Sequence, residues 1–392
     1  MADNIGPGLV NRGLRLVRGR GGRPNSYEPN PGLSVPIVTA LDPEGRILEH
    51  DQRAIVRWAV QDGAGANIVF AAGTTGEWDR LDNPRRQQVA AIVVDECRRI
   101  RDTGVAVEAW VGVTAHTRAE TLDNLRYALD LGADAAVIAP LSVRDSESPV
   151  ELVNRDVAAL FARAGRAIPV FLYDNADIAA PNRVPHLHTR DVKEMSRMEF
   201  VHGVKVTAGK AVLGNYTRAA SHFRRNGAFA IYTGNPYLIF DLFEPPGGAS
   251  GYARHYWNRY WTRNSLPFGI VAGPGNVMPR EWQRAWQVCR RRDAMLMTRC
   301  AAILDEFREI CEAFRIGQRP ATIACFKAAL AEMGVCESDA VAAGTPALEP
   351  APRREFIRRF KQLRWRAAAA LEPGWLSELG DSEPLARARQ DA

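Results

Sequence analysis

Lysine is nearly missing from this chain. Of its 51 basic residues only Lys193, Lys205, Lys210, Lys327 and Lys361 are lysines, and arginine supplies the rest. Long apolar runs are missing too. None approaches the roughly 20 residues that span a bilayer, so no membrane partner is expected. Blocks of one charge are absent and the net charge is only +6, which disfavours a nucleic-acid surface and suits small anionic molecules. The six cysteines (Cys97, Cys289, Cys300, Cys311, Cys325 and Cys336) form no CxxC pair and have no histidine at metal-ligand spacing. They read as reduced thiols in a reducing, cytoplasmic compartment, and neither a metal nor an organic cofactor is expected. The rest of the composition, 46% hydrophobic and 24% charged, is ordinary for a globular chain.

What is present falls into three parts: 1–33, 34–292 and 293–392. Residues 1–33 are rich in Gly, Arg, Pro and Asn and read as a flexible extension. Their arginines faintly resemble a transit peptide, but scarce serine and the chain-wide use of arginine favour compositional bias; a subunit-clasping arm is the other reading. From Leu33 short β-rich runs recur at 34–41, 67–72, 105–113, 135–139, 168–173, 200–207, 228–233 and 267–272. Helical spacing of apolar residues marks Ile47–Val60, Pro84–Ile100, Arg118–Leu131, Pro149–Ala164 and Ala211–Arg225. Thr117 and Thr121 stand where a hydroxyl would cap a helix, and Gly132 and Gly227 where one would end. Eight strand–helix units with no early GxGxxG predict a closed (β/α)8 barrel over 34–292, about the usual size for that fold.

The seventh unit is irregular. A short helix at Pro236–Phe243 is followed by an insertion at about 244–266, broken by Pro245, Pro246, Gly247 and Gly248 and rich in aromatics (Tyr252, Tyr256, Trp257, Tyr260, Trp261). These aromatics read as packing, including against a neighbouring subunit, and a homo-oligomer (dimer or tetramer) is expected. From Pro279 to about Leu371 the pattern is helical with no strands, and 377–392 reads as a polar, frayed end.

Chemistry in such a barrel lies at the C-terminal ends of its strands. The second strand ends in Gly73-Thr74-Thr75-Gly76-Glu77, a tight turn whose N–H groups and two hydroxyls suit a carboxylate. The fifth ends in Tyr173-Asp174-Asn175. The sixth carries Lys205 between Val204 and Val206, with Thr207 on the same face. The seventh ends in Thr233-Gly234-Asn235, and the eighth in Gly273-Pro274-Gly275-Asn276. A lysine inside a parallel sheet must be paired or held neutral, and a neutral amine forms a Schiff base with a carbonyl. Anchor, phenol and amine on one rim are what a 2-oxo acid requires.

With GTTGE at 73–77, the Tyr173 strand end, GVKVTAG at 203–209 and GIVAGPGN at 269–276, the chain resembles the dihydrodipicolinate synthase/N-acetylneuraminate lyase family from about Gly32 to about Leu363. The resemblance implies a class I pyruvate aldolase. Lys205 would form the imine and Tyr173 relay protons. Thr74, counted as catalytic with those two, would hold the carboxylate together with Thr75; Gly76, Thr207 and Asn235 would line the substrate site, and the Val271 carbonyl lie near the lysine. Three positions depart from the family's patterns. Ile178 stands where the lysine-pathway synthases have an arginine, Leu141 and Ser142 replace their tyrosine pair, and Asn235-Pro236 replaces the acidic pair of sialic acid lyases. Cleavage or condensation of a 2-oxo-3-deoxy acid is therefore expected, with the acceptor half open; a Schiff-base dehydratase of a keto-deoxy sugar acid, a dihydrodipicolinate synthase-like condensing enzyme and a barrel without catalysis are the alternatives. Arg144 is the nearest cation in the fourth-strand loop, either facing an acidic acceptor or paired with Asp145 or Glu147.

Overall fold

The computed structural model describes residues 27–223, 229–245, 266–371 and 374–378, with Gly248 and Ala253 singly. Eight parallel strands close on themselves: β1 Leu33–Pro36, β2 Ile68–Ala71, β3 Glu108–Gly112, β4 Ala135–Ile138, β5 Val170–Asn175, β6 Val201–Thr207, β7 Ala230–Thr233 and β8 Gly269–Val271, which pairs back onto β1. Among the described residues no helix is long and apolar enough to cross a membrane.

Side chains alternate across each strand and sort into two layers. Ile68, Phe70, Trp110, Phe171, Tyr173, Tyr232 and Val271 fill the barrel interior. Val69, Ala71, Val111, Leu172, Val204 and Val206 face the surrounding helices. The interior is closed at the N-terminal end by aromatics, Trp110 stacked on Phe171 with centroids 4.0 Å apart and Tyr232 edge-on to both. Tyr27 seals that end, its hydroxyl donating to Glu108 at 2.8 Å. The closed base leaves the opposite end as the cavity.

The outer helices follow the sequence pattern with informative differences. Helices α1 Glu49–Val60, α2 Asn83–Asp102 and α3 Arg118–Leu131 lie where expected; Thr117 caps α3 through Glu120 N, and Gly132 ends it in the left-handed region. Thr121 is no cap: its Oγ1 donates to Thr117 O at 2.8 Å and accepts from Ala115 N at 3.0 Å. The segment 149–164 is α4 Pro149–Glu151, a π-turn Leu152–Val157 and α5 Ala158–Ala164. Helix α6 Thr189–Met195 is one the pattern did not mark. Helix α7 Lys210–Ala219 gives way to a 3₁₀ turn at Ala220–His222, and Gly227 lies outside the described residues. Helix α8 is confined to Leu238–Leu242. The insertion's aromatic cluster and most of the first 33 residues also lie outside the described residues.

The run 34–41 leaves the sheet after Ile37, whose N–H still reaches Phe70 O of β2 at 3.0 Å, because side chains then capture its backbone: Asn276 Oδ1 takes Val38 N at 2.9 Å and Gln52 Oε1 takes Ala40 N at 2.9 Å. After β8 come α9 Pro279–Arg291, the last helix of the barrel, and then α10 Ala294–Glu312, α11 Thr322–Glu332 and α12 Pro350–Ala370. The all-helical expectation there is corrected by a ribbon, β9 Arg315–Ile316 with β10 Arg319–Pro320, turned by Gly317 at φ +60°. Ser377 is not frayed. It is fully buried and donates to Glu281 Oε2 at 2.5 Å.

Candidate active site

On β6, Val204 and Val206 face the helices, so Gly203, Lys205 and Thr207 must face the barrel interior. Lys205 is 5% exposed. Its Nζ lies 3.9 Å from the Tyr173 ring centroid and 5.1 Å from that of Phe70. None of the ion pairs among the described residues involves Lys205, whereas exposed Lys210 reaches Asp241 at 3.4 Å. Of the two expectations for Lys205, paired or held neutral, the ion-paired one finds no carboxylate partner among the described residues.

Three strand ends converge on the Tyr173 hydroxyl. Thr74 Oγ1 is 3.2 Å away, Asn175 Nδ2 donates at 3.1 Å, and Thr207 Oγ1 donates at 3.4 Å. Burial would raise the pKa of this phenol. The Lys205 charge and the three hydrogen bonds more than offset it, leaving the group below its ordinary value.

The 73–77 turn is built by unusual backbone. Ala72 and Glu77 have φ of +52° and +59°, and a side chain at Gly76 would come within 3.0 Å of Ile37 O. Glu77 N closes the turn on Thr74 O at 3.1 Å. Among the described residues the N–H groups of Thr74, Thr75 and Gly76 have no acceptor. Glu77 is buried beneath and bonded to Lys327 Nζ of α11 at 2.6 Å; both side chains are at most 2% exposed. Ala342 N donates to the other Glu77 oxygen at 2.8 Å, and Lys327 also reaches Ala340 O at 2.8 Å. Burial lowers the Lys327 pKa, against the opposing pull of Glu77.

On the far side, Gly234 leaves room above the lysine: a side chain there would collide with Thr207 Oγ1 and lie 3.2 Å from Lys205 Cε. Thr233 Oγ1 fixes Asn235 by donating to its carbonyl at 2.9 Å. Val271 is in the inner cluster with Tyr173, and Thr75 Oγ1 adjoins Gly273. Asn276, fully buried, donates to Pro36 O at 2.8 Å and Gly273 O at 2.7 Å, tying β8 to β1. Tyr173 thus touches Lys205, Thr74 and Thr207 directly, Asn235 lines the same cavity as Thr207, and Val271 shares the inner cluster with Tyr173.

The model of the Dihydrodipicolinate synthetase family matches residues 30–243, more than half of the chain. The chain belongs to this family. The 4-hydroxy-tetrahydrodipicolinate synthase of Pseudomonas aeruginosa is 24% identical over 306 residues, 78% of this chain and 88% of that one. The structure of dihydrodipicolinate synthase from Bacteroides thetaiotaomicron superposes with TM-score 0.68 at 18% identity, covering 86% of this chain and 99% of that one. N-acetylneuraminate lyase from Fusobacterium nucleatum, complexed with pyruvate, superposes at 0.64 and 14% identity, covering 85% and 96%. These structural likenesses carry the fold.

Of the positions expected to depart from the family's patterns, Asn235 and Pro236 line the mouth cavity, whereas Ile178, Leu141 and Ser142 are not among its lining residues. Ile178 packs beside the inner cluster. Leu141 and Ser142 are buried, and the Ser142 hydroxyl has no hydrogen-bond partner among the described residues. Arg144 is exposed and does not line the mouth cavity; Asp145 instead accepts from Arg118 N and Glu147 pairs with Arg155. That cavity, of about 650 Å³, runs from Thr207, Gly234 and Asn235 to Phe307 and Arg308 of α10.

Sequence reasoning missed Asn175 and the Glu77–Lys327 pair. The only hint of the second was a rare lysine inside the apolar run of α11, 250 residues from its partner.

Proposed function

We propose that the protein is a class I lyase that cleaves or forms a 2-oxo-3-deoxy acid, with pyruvate as the shared half. The observation that carries this reading is the buried Lys205 amine over the Tyr173 ring, with the Tyr173 hydroxyl held by Thr74, Asn175 and Thr207. Lys205 attacks the substrate ketone and expels water, giving a protonated imine that accepts electrons. The free N–H groups of the 74–76 turn and the Thr75 hydroxyl hold the carboxylate beside it. As the C3–C4 bond breaks, the C4 hydroxyl proton passes to Tyr173, the C4 fragment leaves as an aldehyde, and the bond's electrons form the enamine. Protonation at C3 and hydrolysis release pyruvate and the free lysine. The imine itself is the electron sink, so these steps call for no metal or cofactor.

With Ile178 where an arginine would hold a second carboxylate, the reading makes the protein a poor dihydrodipicolinate synthase. It further has the protein act as a homo-oligomer. Exchange of the pyruvate methyl protons in heavy water, followed by proton NMR, tests the imine–enamine steps without knowledge of the acceptor. Exchange by the wild type that is lost in Lys205→Ala supports the reading; wild type without exchange overturns it.

A further inference from the structure

Asp174 follows Tyr173 on β5 and so faces the opposite way, into the helix layer. It is fully buried and accepts from Leu187 N at 2.8 Å and pairs with His186 Nδ1 at 2.9 Å, while the single Tyr216 hydroxyl proton is shared between it at 2.9 Å and Leu187 O at 2.7 Å. A carboxylate only accepts, so Nδ1 carries a proton, and Nε2 is the ring's remaining hydrogen-bonding atom. The ring is 26% exposed and lines the mouth cavity together with Asn175, Thr207 and Asn235. The Schiff-base steps make no use of this oriented imidazole.

The charge of the same cavity narrows what it can receive. Asp177, Asp305 and Glu312 line it against one arginine, Arg308. Arg308 is already bonded to Asp305 at 3.2 Å and to Glu312 at 3.3 Å. A substrate tail bearing a second carboxylate meets a net negative wall, whereas a hydroxylated tail finds both acceptors and donors.

We propose that His186, held by Asp174, is a specificity-determining residue that hydrogen-bonds a hydroxyl on a neutral, polyhydroxylated aldehyde half of the substrate. This rests on the Schiff-base reading of Lys205.

The test is condensation of pyruvate with D-glyceraldehyde and with glyoxylate, as neutral and anionic probes. The wild type should favour D-glyceraldehyde by about tenfold or more in kcat/KM. His186→Asn keeps an N–H for Asp174 and removes the distal edge of the ring that carries Nε2. It should raise the KM for D-glyceraldehyde about fivefold, the loss of one net hydrogen bond, while the KM for pyruvate and kcat stay within about twofold. A purely structural role would move all three. An unchanged KM for D-glyceraldehyde, or a wild-type preference for glyoxylate, overturns the proposal, and the second result decides even if the variant fails to fold. Pyruvate exchange that persists with a flat His186→Asn response overturns this proposal alone; absent exchange in the wild type removes the Schiff-base reading and this one with it.

Discussion

At the scale of single residues, the account turns on how one amine and one phenol are held. Lys205 stood out because valines flank it and lysines are rare in this chain, but the pattern alone fits a solvent-reaching strand-end lysine equally; the other strand-end motifs pointed to the buried amine. Tyr173 was legible from its place at a strand end. Asn175 and His186 were not: their roles come from contacts with Tyr173 and Asp174 that neither periodicity nor composition encodes. Because the phenol is pulled below its ordinary value by the Lys205 charge despite burial, it is suited to carry a proton between substrate and solvent. Tyr173→Phe should therefore lower kcat by about 10²–10⁴-fold, the span of general acid–base catalysis, while pyruvate still becomes attached to Lys205. Steady-state rates beside a trapping assay measure this, and a kcat within about twofold of wild type would remove Tyr173 from the proton path.

At the scale of elements, the 73–77 turn depends on a helix from outside the barrel. Glu77 and Lys327 are buried together, and removing one partner of such a pair leaves an uncompensated charge at a cost of about 3–5 kcal/mol. Lys327→Met should lose that much stability in urea unfolding, and adding Glu77→Gln should restore part of it because the stranded carboxylate is gone. A single variant as stable as wild type would show that the pair does not hold the turn. Element types followed from periodicity better than their ends did. The run 34–41 looked like one strand because its apolar residues continue, yet its backbone past Ile37 is taken by Asn276 and Gln52. The π-turn within 149–164 leaves the apolar spacing intact and is invisible for that reason. The ribbon at 315–320 is two residues per strand, too short for any pattern.

At the scale of the whole molecule, one end of the barrel is sealed and the other is chemical. The seal includes a titrating group. Burial pushes the Glu108 pKa up to about 7, against the donors Trp110 and Tyr27, from an ordinary 4.5. A carboxyl with a raised folded-state pKa contributes stability below about 4.5 that is lost as pH rises through about 7. Stability, and with it the melting temperature, should thus fall from about pH 4.5 to about pH 7 and level off above, by up to about 1.4 kcal/mol per pH unit inside that window. Glu108→Gln should flatten this slope, and an equal slope in both proteins would mean that Glu108 does not titrate there. The eight-fold alternation made the closed barrel readable from sequence; the aromatic plug was not, since Tyr27 meets Glu108 across 81 residues.

The central claim is that pyruvate is bound covalently by one particular lysine. Reduction of the protein with borohydride in the presence of pyruvate, followed by peptide mass mapping, tests it most directly. The account predicts a single reduced adduct on Lys205, in the peptide spanning β6, and none in Lys205→Ala. An adduct on Lys210 or Lys327, or no adduct on any lysine of the wild type, would contradict it.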